Sequence, residues 1–507
     1  MSIKQTLAQR WPQFLASLVA GVIGALAFPP FQIWWLMFFS LGIFLYLIKT
    51  KLRYREAFVL GFLYGLGYMA VLIWWMNAVD YRAYIALVLL QAFMFALVGT
   101  AIRIVLLSHA WPIIGAAVWV GSETLRGSQP FGGFPWGRLV HITSGTFLDS
   151  WVRLVGFAGV SALIFLLVAG IVQTISTPSR NRANLVVLGV IGFAIGGVFL
   201  PKGIAEPAGK VNIAIVQGNT PGDFGTWGRG EIFWLHVAAT EGLIADIDDG
   251  KAAAPDFVIW PENSLDLDPK SAPWVGSQLT RLETELGAPI LVGAILDGPT
   301  DTTALNAGIV WENGQERARY VKRNLVPYGE YVPFRQLLGD LVPRFRREIP
   351  RDLLPGDENG TIEIGETPIG DTICWDIAYD DAIWENIAAD AQLLVTQTSN
   401  ASFTGTSQPD QQWLITGLRA VETGRQVAVA STNGISGLFG ASGDVVAQLP
   451  KEQPGVISAE VELATGITLA MRFGSHLMWL LSLIGAAATI WFYRKEYREQ
   501  ARDNSDV

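Results

Sequence analysis

Apolar and polar positions follow two different rhythms along the 507-residue chain. Residues 1–200 form a succession of apolar runs, each near the ~20 residues that a bilayer requires. They predict membrane-spanning helices near 11–28, 32–48, 57–76, 84–107, 111–125, 154–175 and 185–200, and an eighth near 475–493. Pro29-Pro30 marks a tight turn between the first two. From Val211 onward, short apolar runs alternate with amphipathic stretches. VNIAIVQGN, PDFVIWPEN, APILVGAIL and AQLLVTQTSN read as buried strands. Glu231–Asp248, Trp274–Leu286 and Pro409–Thr423 read as helices. ALNAGIVWENGQERARYVKRNLVP reads as a hairpin turning at Asn313-Gly314, and RQVAVASTNGISGLFGASGDVVAQL as strand, turn, strand. Strands with intervening helices imply an α/β domain with a layered core, and about 255 residues suffice to bury one.

The expected organisation is a transmembrane domain of seven helices over 1–205, a polar domain over 206–466, and a last helix with a tail over 467–507. The basic residues set the orientation. Lys4 and Arg10 precede the first span, Lys49, Lys51, Arg53 and Arg55 follow the second, and Arg180 and Arg182 follow the sixth. Arg494, Lys495, Arg498 and Arg502 follow the eighth. With seven spans before the polar domain, all four clusters fall on the cytoplasmic side with both termini, and the polar domain lies opposite. The first span has no small-residue cleavage site before Pro29-Pro30 and reads as a retained anchor. Gly61/Gly65 and Gly192/Gly196 read as helix-packing pairs.

Composition agrees with a membrane protein: 51% hydrophobic, 19 tryptophans and a mean hydropathy of +0.35. The net charge of −9 argues against a nucleic-acid partner. One cysteine excludes an internal disulfide framework and a cysteine-cluster zinc site, and the four histidines show no HExxH spacing. No metal site is expected. The Gly-rich, aromatic loop 126–150 suits either an interfacial belt or a lipid-facing platform, with Phe134 and Trp136 as contacts and Glu123 and Arg126 at the interface.

The lone cysteine, Cys374, lies in IGDTICWDIAYDD. TPIGDTI before it reads as a strand and DIAYDDAIWENIAAD after it as a helix. A thiol at that helix N-terminus would have its pKa lowered by the dipole. A small buried apolar residue is the plain alternative. Glu262 and Lys322 also stand at strand ends, 60 residues apart, with Cys374 a further 52 on. Charged residues at strand ends are ordinarily solvated. Together, though, the three supply a base, a cation and a nucleophile, the parts of thiol acyl transfer. Spacing does not show that they meet. No GxSxG is present, which sets aside a serine hydrolase.

WPE, KRNLVPYGEYVPF and ICWD, in that order, resemble the Glu–Lys–Cys triad motifs of the nitrilase superfamily. With the flanking spans, the GFPWG loop and TLAMRFG before the last span, nearly the whole chain resembles the apolipoprotein N-acyltransferase family. The resemblance implies an α-β-β-α sandwich joined to about eight transmembrane helices in a bacterial inner membrane, with the sandwich periplasmic. It assigns Glu262 as general base, Lys322 as oxyanion-stabilising cation and Cys374 as nucleophile. Trp375 would lend its N–H, and Glu330 would orient Lys322 or the leaving amine. Asp376 stands where the family has Glu, and Trp375 where tyrosine is common. The implied reaction is ping-pong: phosphatidylethanolamine gives an acyl chain to Cys374, and the α-amine of a diacylglyceryl-cysteine on an apolipoprotein takes it. No cofactor is implied, and a monomer is expected. Loops Phe224–Trp227, Tyr331–Arg347 and Phe403–Gln412 would shield the thioester and admit lipid, with Trp227, Tyr331 and Asn400 as contacts; turn roles also suit Asn400 and Asn433. Arg344, Arg346, Arg347 and Arg351 suit either a lid for anionic headgroups or a solvated loop. A membrane-anchored amidase and a non-catalytic scaffold are the competing readings.

Overall fold

The computed structural model describes residues 3–50, 52–222, 225–336 and 349–505. Arg344, Arg346, Arg347 and Phe224 lie outside them. The chain divides into two compact units, Met1–Pro201 with Arg472–Val507, and Lys202–Met471.

The first unit is helical: Ile3–Ala25, Leu36–Lys49, Tyr54–Leu72, Tyr81–Val105, Trp111–Ser128, Val152–Ser176 and Arg180–Phe199, with most of Leu469–Ser505. Among the described residues, five helices are long and apolar enough to cross a membrane: Tyr54–Leu72, Tyr81–Val105, Asp149–Ser176, Arg180–Phe199 and Leu469–Arg502. Leu36–Lys49 is apolar but shorter. Small residues bring two of these helices to backbone distance. A Cβ on Gly61 would lie 2.3 Å from the Phe95 carbonyl oxygen, and one on Gly65 would lie 2.6 Å from Phe95 Cβ. The second glycine pair divides: Gly196 backs onto the Trp151 ring, whereas nothing lies within 4 Å of a Cβ on Gly192.

The second unit is a sandwich of two mixed sheets. In the first, the strand order is β13 (Gly455–Thr465), β1 (Glu206–Gln217), β2 (Phe257–Ile259), β3 (Ile290–Asp297), β4 (Thr303–Glu312) and β5 (Gln315–Val321), and β6 (Asp352–Leu353) pairs with β4. In the second, the order is β12 (Val445–Gln448), β11 (Gly437–Phe439), β10 (Val427–Ser431), β9 (Leu393–Thr398), β8 (Thr367–Ile373) and β7 (Thr361–Ile364). Alternate residues of the strands build separate cores. Ile213, Ile259, Leu291, Val310, Ile369, Ile373 and Val395 pack between the sheets. Val216, Val258, Val292 and Ile309 face Glu231–Asp248 and Pro273–Leu286. Leu394 and Val429 face outward from the second sheet, against Ile383 and Ile387 of the helix Asp380–Ala388 and Ala420 of Gln408–Thr423. The layers therefore run helix, sheet, sheet, helix, as alternation within fully buried strands requires. The hairpin turns at Asn313 and Gly314, both with positive φ (55° and 72°), the conformation that an Asn-Gly turn favours.

One expected helix is divided. DIAYDDAIWENIAAD forms a 3-10 turn, Cys374–Ala378, and a separate helix, Asp380–Ala388, with Tyr379 extended between them. The carbonyls that a continuous helix would bond internally are claimed from outside. Arg419 donates to Ile377 O (Nε, 3.0 Å) and to Ala378 O (Nη2, 3.0 Å). Phe403–Gln412 is also not a simple loop, because Gln408–Thr423 is helical and Gln408, Gln411 and Gln412 are buried.

Candidate active site

Glu262 follows β2, Lys322 follows β5 and Cys374 follows β8, so the sandwich brings three strand ends together from both sheets. Lys322 Nζ is buried and lies 3.2 Å from Glu262 Oε1 and 2.7 Å from Glu330 Oε1. Both carboxylates are fixed further. Asn306 Nδ2 donates to Glu262 Oε1 (2.7 Å) and to Glu330 Oε1 (3.2 Å). The Ser399 amide donates to Glu262 Oε2 (2.8 Å) and the Val326 amide to Glu330 Oε2 (2.6 Å). Burial acts to lower the Lys322 pKa, but the charges of Glu262 and Glu330 outweigh it and hold it well above the ordinary lysine value. Lys322 is a fixed cation between two carboxylates.

Cys374 is buried and adopts φ 51°, a left-handed conformation that costs a non-glycine residue about 1–3 kcal/mol. The conformation turns the chain sharply out of β8. Its carbonyl accepts from Gln412 Nε2 (3.3 Å). The expectation of a dipole-lowered thiol pKa is corrected here. Burial pushes the Cys374 pKa up, the charge of Glu262 pushes it further, and Lys322 and Thr398 only partly offset this. The residue opens a single 3-10 turn rather than an α-helix, so little dipole is available. A thiol in this state needs a base in the site to become a nucleophile.

Asp376 is buried and accepts three hydrogen bonds: from Tyr320 OH (3.0 Å), Asn324 N (3.0 Å) and Ile373 N (3.1 Å). Burial raises its carboxyl to about 6, against the opposing pull of Lys322 and those donors. The shorter side chain is thus fully engaged at a position where Glu was expected. Trp375 is buried and its Nε1 donates to Tyr379 OH (3.0 Å).

The expected contact residues are placed unequally. Trp227 and Tyr331 are partly exposed. Asn400 is buried, and its side chain is taken up by Gln408, Gln412 and Ser431. Phe134 and Trp136 are 5% and 1% exposed, which corrects the lipid-facing platform. The Trp136 ring packs on Trp75 and Phe134, and its carbonyl accepts from Arg126. Glu123 and Arg126 are buried rather than interfacial; Glu123 pairs with Arg138 at 3.7 Å. Sequence reasoning missed Asn306, Tyr320 and Gln412. Asn306 had a signal, as the one strongly polar residue inside the apolar strand ALNAGIV. Among the described residues, no group of His, Cys, Asp and Glu is arranged to hold a metal ion.

A family model described as the apolipoprotein N-acyltransferase N-terminal domain matches residues 20–170, and one described as carbon-nitrogen hydrolase matches residues 212–470. The apolipoprotein N-acyltransferase of Mycolicibacterium smegmatis is 30% identical over 508 residues, covering 94% of this chain and 84% of the relative. The chain belongs to the apolipoprotein N-acyltransferase family. Another relative in the family, from Haemophilus ducreyi, is 26% identical over 513 residues, covering 96% of this chain and 97% of its own. Among solved structures, an amidase from Nesterenkonia sp. aligns with a TM-score of 0.39 at 19% identity, over 55% of this chain and 98% of the amidase. The hydrolase match spans Glu262, Lys322 and Cys374, and the N-terminal match spans four of the α-helices of the first unit in full.

Proposed function

We propose that this acyltransferase carries out lipoprotein N-acylation in two half-reactions through Cys374. Family membership supports a phospholipid donor, a lipoprotein acceptor and an inner-membrane location. In the first half-reaction Glu262 takes the thiol proton and Cys374 Sγ attacks the ester carbonyl of a phospholipid, phosphatidylethanolamine in our reading. Lys322 and the Trp375 amide stabilise the tetrahedral oxyanion. The intermediate collapses to a thioester, and Glu262 returns the proton to the departing lysophospholipid. In the second, the α-amine of a diacylglyceryl-cysteine attacks the thioester, forms the amide and releases the thiol. Glu330 holds Lys322 in place throughout. Trp227 and Tyr331 contact the acyl chains.

The observation that carries this reading is the buried Lys322, bonded to Glu262 and Glu330 and electrostatically coupled to the Cys374 thiol. A raised thiol pKa beside a carboxylate matches a mechanism in which the base acts during attack. Eight spans, both termini cytoplasmic, a periplasmic sandwich and a monomer complete the proposal, with domains at 1–205, 206–466 and 467–507. The basic clusters along the sequence support that orientation.

The test is conversion of a synthetic diacylated lipopeptide in phospholipid vesicles, followed by mass spectrometry, for wild type, Glu262→Gln and Glu330→Gln. The reading predicts gain of one acyl chain on the peptide amine, reduced at least ~10²-fold by Glu262→Gln and less by Glu330→Gln. Free fatty acid without peptide acylation would favour an amidase-like hydrolase, and undiminished transfer by Glu262→Gln would remove Glu262 as the base.

A further inference from the structure

The inter-sheet core holds a carboxyl group to which the proposed chemistry gives no part. Asp371 lies on β8 three residues before Cys374 and faces inward with Ile369 and Ile373. It is fully buried, and neither carboxylate oxygen has a hydrogen-bond partner of good geometry among the described residues. Gln397, on the neighbouring strand β9, is also fully buried, and its Oε1 likewise has no partner. Both side chains occupy the space left by Gly308 on β4 of the opposite sheet. A Cβ on Gly308 would lie 2.1 Å from Asp371 Oδ2 and 2.4 Å from Gln397 Oε1.

The orientation of the Gln397 amide is set from its other end. Gln397 Nε2 donates to the Trp260 carbonyl at 2.5 Å, so Oε1 is the atom turned toward Asp371. Two acceptors then face one enclosed space, and the Thr372 amide is the donor that bears on the carboxylate. An ionised carboxylate there would be both desolvated and repelled. A neutral carboxylic acid supplies one O–H donor and removes both penalties.

We infer that Asp371 is held as the neutral acid and donates its proton to Gln397 Oε1, so that an Asp371–Gln397–Trp260 chain positions the base Glu262 against the strand that carries Cys374. The chain crosses between the sheets. Asp371 and Gln397 belong to the sheet that ends in the nucleophile, and Trp260 lies two residues before Glu262 in the other. Glu262 is also tied to the second sheet at its own atoms, by the Ser399 amide on Oε2 (2.8 Å) and the Thr432 hydroxyl on its carbonyl (2.9 Å), and the Asp371–Gln397–Trp260 chain adds a link within the otherwise apolar cluster between the sheets.

The titratable groups that act on Asp371 all favour its neutral form. Asp376 in the turn after β8 and Glu262 after β2 both oppose a negative charge on it, after burial itself, and the Thr372 amide offsets them only partly. Tyr320 on β5 feels the Asp371 charge in turn. Gly308 on β4 and Gln397 on β9 bring no charge. Asp371 acts through Gln397 and is a positioning residue, touching no substrate in this account.

The inference rests on Glu262 as the base, and its test separates the two ideas. Infrared difference spectra of the purified protein at neutral pH, wild type minus Asp371→Asn, report the carboxyl proton directly. A protonated C=O band above ~1700 cm⁻¹ is expected from a group that holds its proton; its absence overturns the inference. Kinetics report the positioning. Asn donates an N–H to Gln397 without needing a proton, so Asp371→Asn should keep kcat within about threefold, whereas Asp371→Val and Gln397→Leu should lower it about 10- to 100-fold with KM nearly unchanged. An Asn variant as impaired as the Val variant, or Val and Leu variants with normal kcat in their folded fraction, would overturn it. If Glu262→Gln retained transfer, the reading of the base would fail while the infrared band still stood.

Discussion

Two buried charge clusters in this chain use similar side chains to different ends. In the sandwich, Lys322 is bonded to Glu262 and Glu330, and Asn306 ties the same two carboxylates together. In the helical unit, Glu123 Oε1 accepts from the Leu139 amide and Trp119 Nε1, while Arg126 donates to the Trp136 carbonyl and Gln91 and stacks on Phe95. Most of those partners are backbone groups or neutral side chains. Residues 129–138 contain no helix or strand, so their amides and carbonyls need partners from elsewhere. Charge buried against backbone holds a loop in shape. Opposite charges buried beside a thiol, with a strained backbone at the thiol itself, are the arrangement on which the proposed transfer rests.

The comparison is broken most sharply at Lys322. Lys322→Met leaves two carboxylates facing each other without their cation. Transfer should fall at least ~10³-fold, and the sandwich should lose about 3–5 kcal/mol in denaturant unfolding. Retained activity would place the cluster with the structural one. Arg126→Leu is the counterpart. It should lower thermal stability in detergent by an amount equivalent to about 3 kcal/mol while leaving kcat of the folded fraction unchanged. A selective loss of kcat would give that cluster a part in the chemistry.

Asp376 sharpens the contrast through pH. Its carboxyl titrates near 6 in the folded protein, above the unfolded value near 4. The folded state therefore binds the proton more tightly, and this group's contribution to stability falls as pH rises from about 4 to about 6, by up to ~3 kcal/mol. Asp376→Asn should flatten the stability profile over that interval, read by scanning fluorimetry across pH. Last, Asn306→Ala removes one amide from both carboxylates and should cost about 1–2 kcal/mol, with a smaller loss of kcat than Lys322→Met.

The strands, helices and the three residues at strand ends were legible because each depends on local pattern. TPIGDTI forms a strand over the predicted residues, Glu231–Asp248 is a helix with the predicted bounds, and the Asn-Gly turn is where the sequence puts it. What was not legible depends on partners far away in sequence. The helix after Cys374 is divided because Arg419, some 40 residues on, takes its carbonyls. The thiol pKa follows burial and Glu262 rather than the local dipole. Trp136 looked like an interfacial aromatic, and its burial depends on Trp75 and Arg126. Asp371 reads as an ordinary polar residue in a strand until Gly308 and Gln397 are placed beside it.

The most direct test of the central claim is the intact mass of purified protein after incubation with phosphatidylethanolamine, beside Cys374→Ala. The account predicts a gain of one fatty acyl group on wild type alone, lost when a diacylated lipopeptide is added. No adduct on folded wild type, or the same adduct on Cys374→Ala, would contradict it.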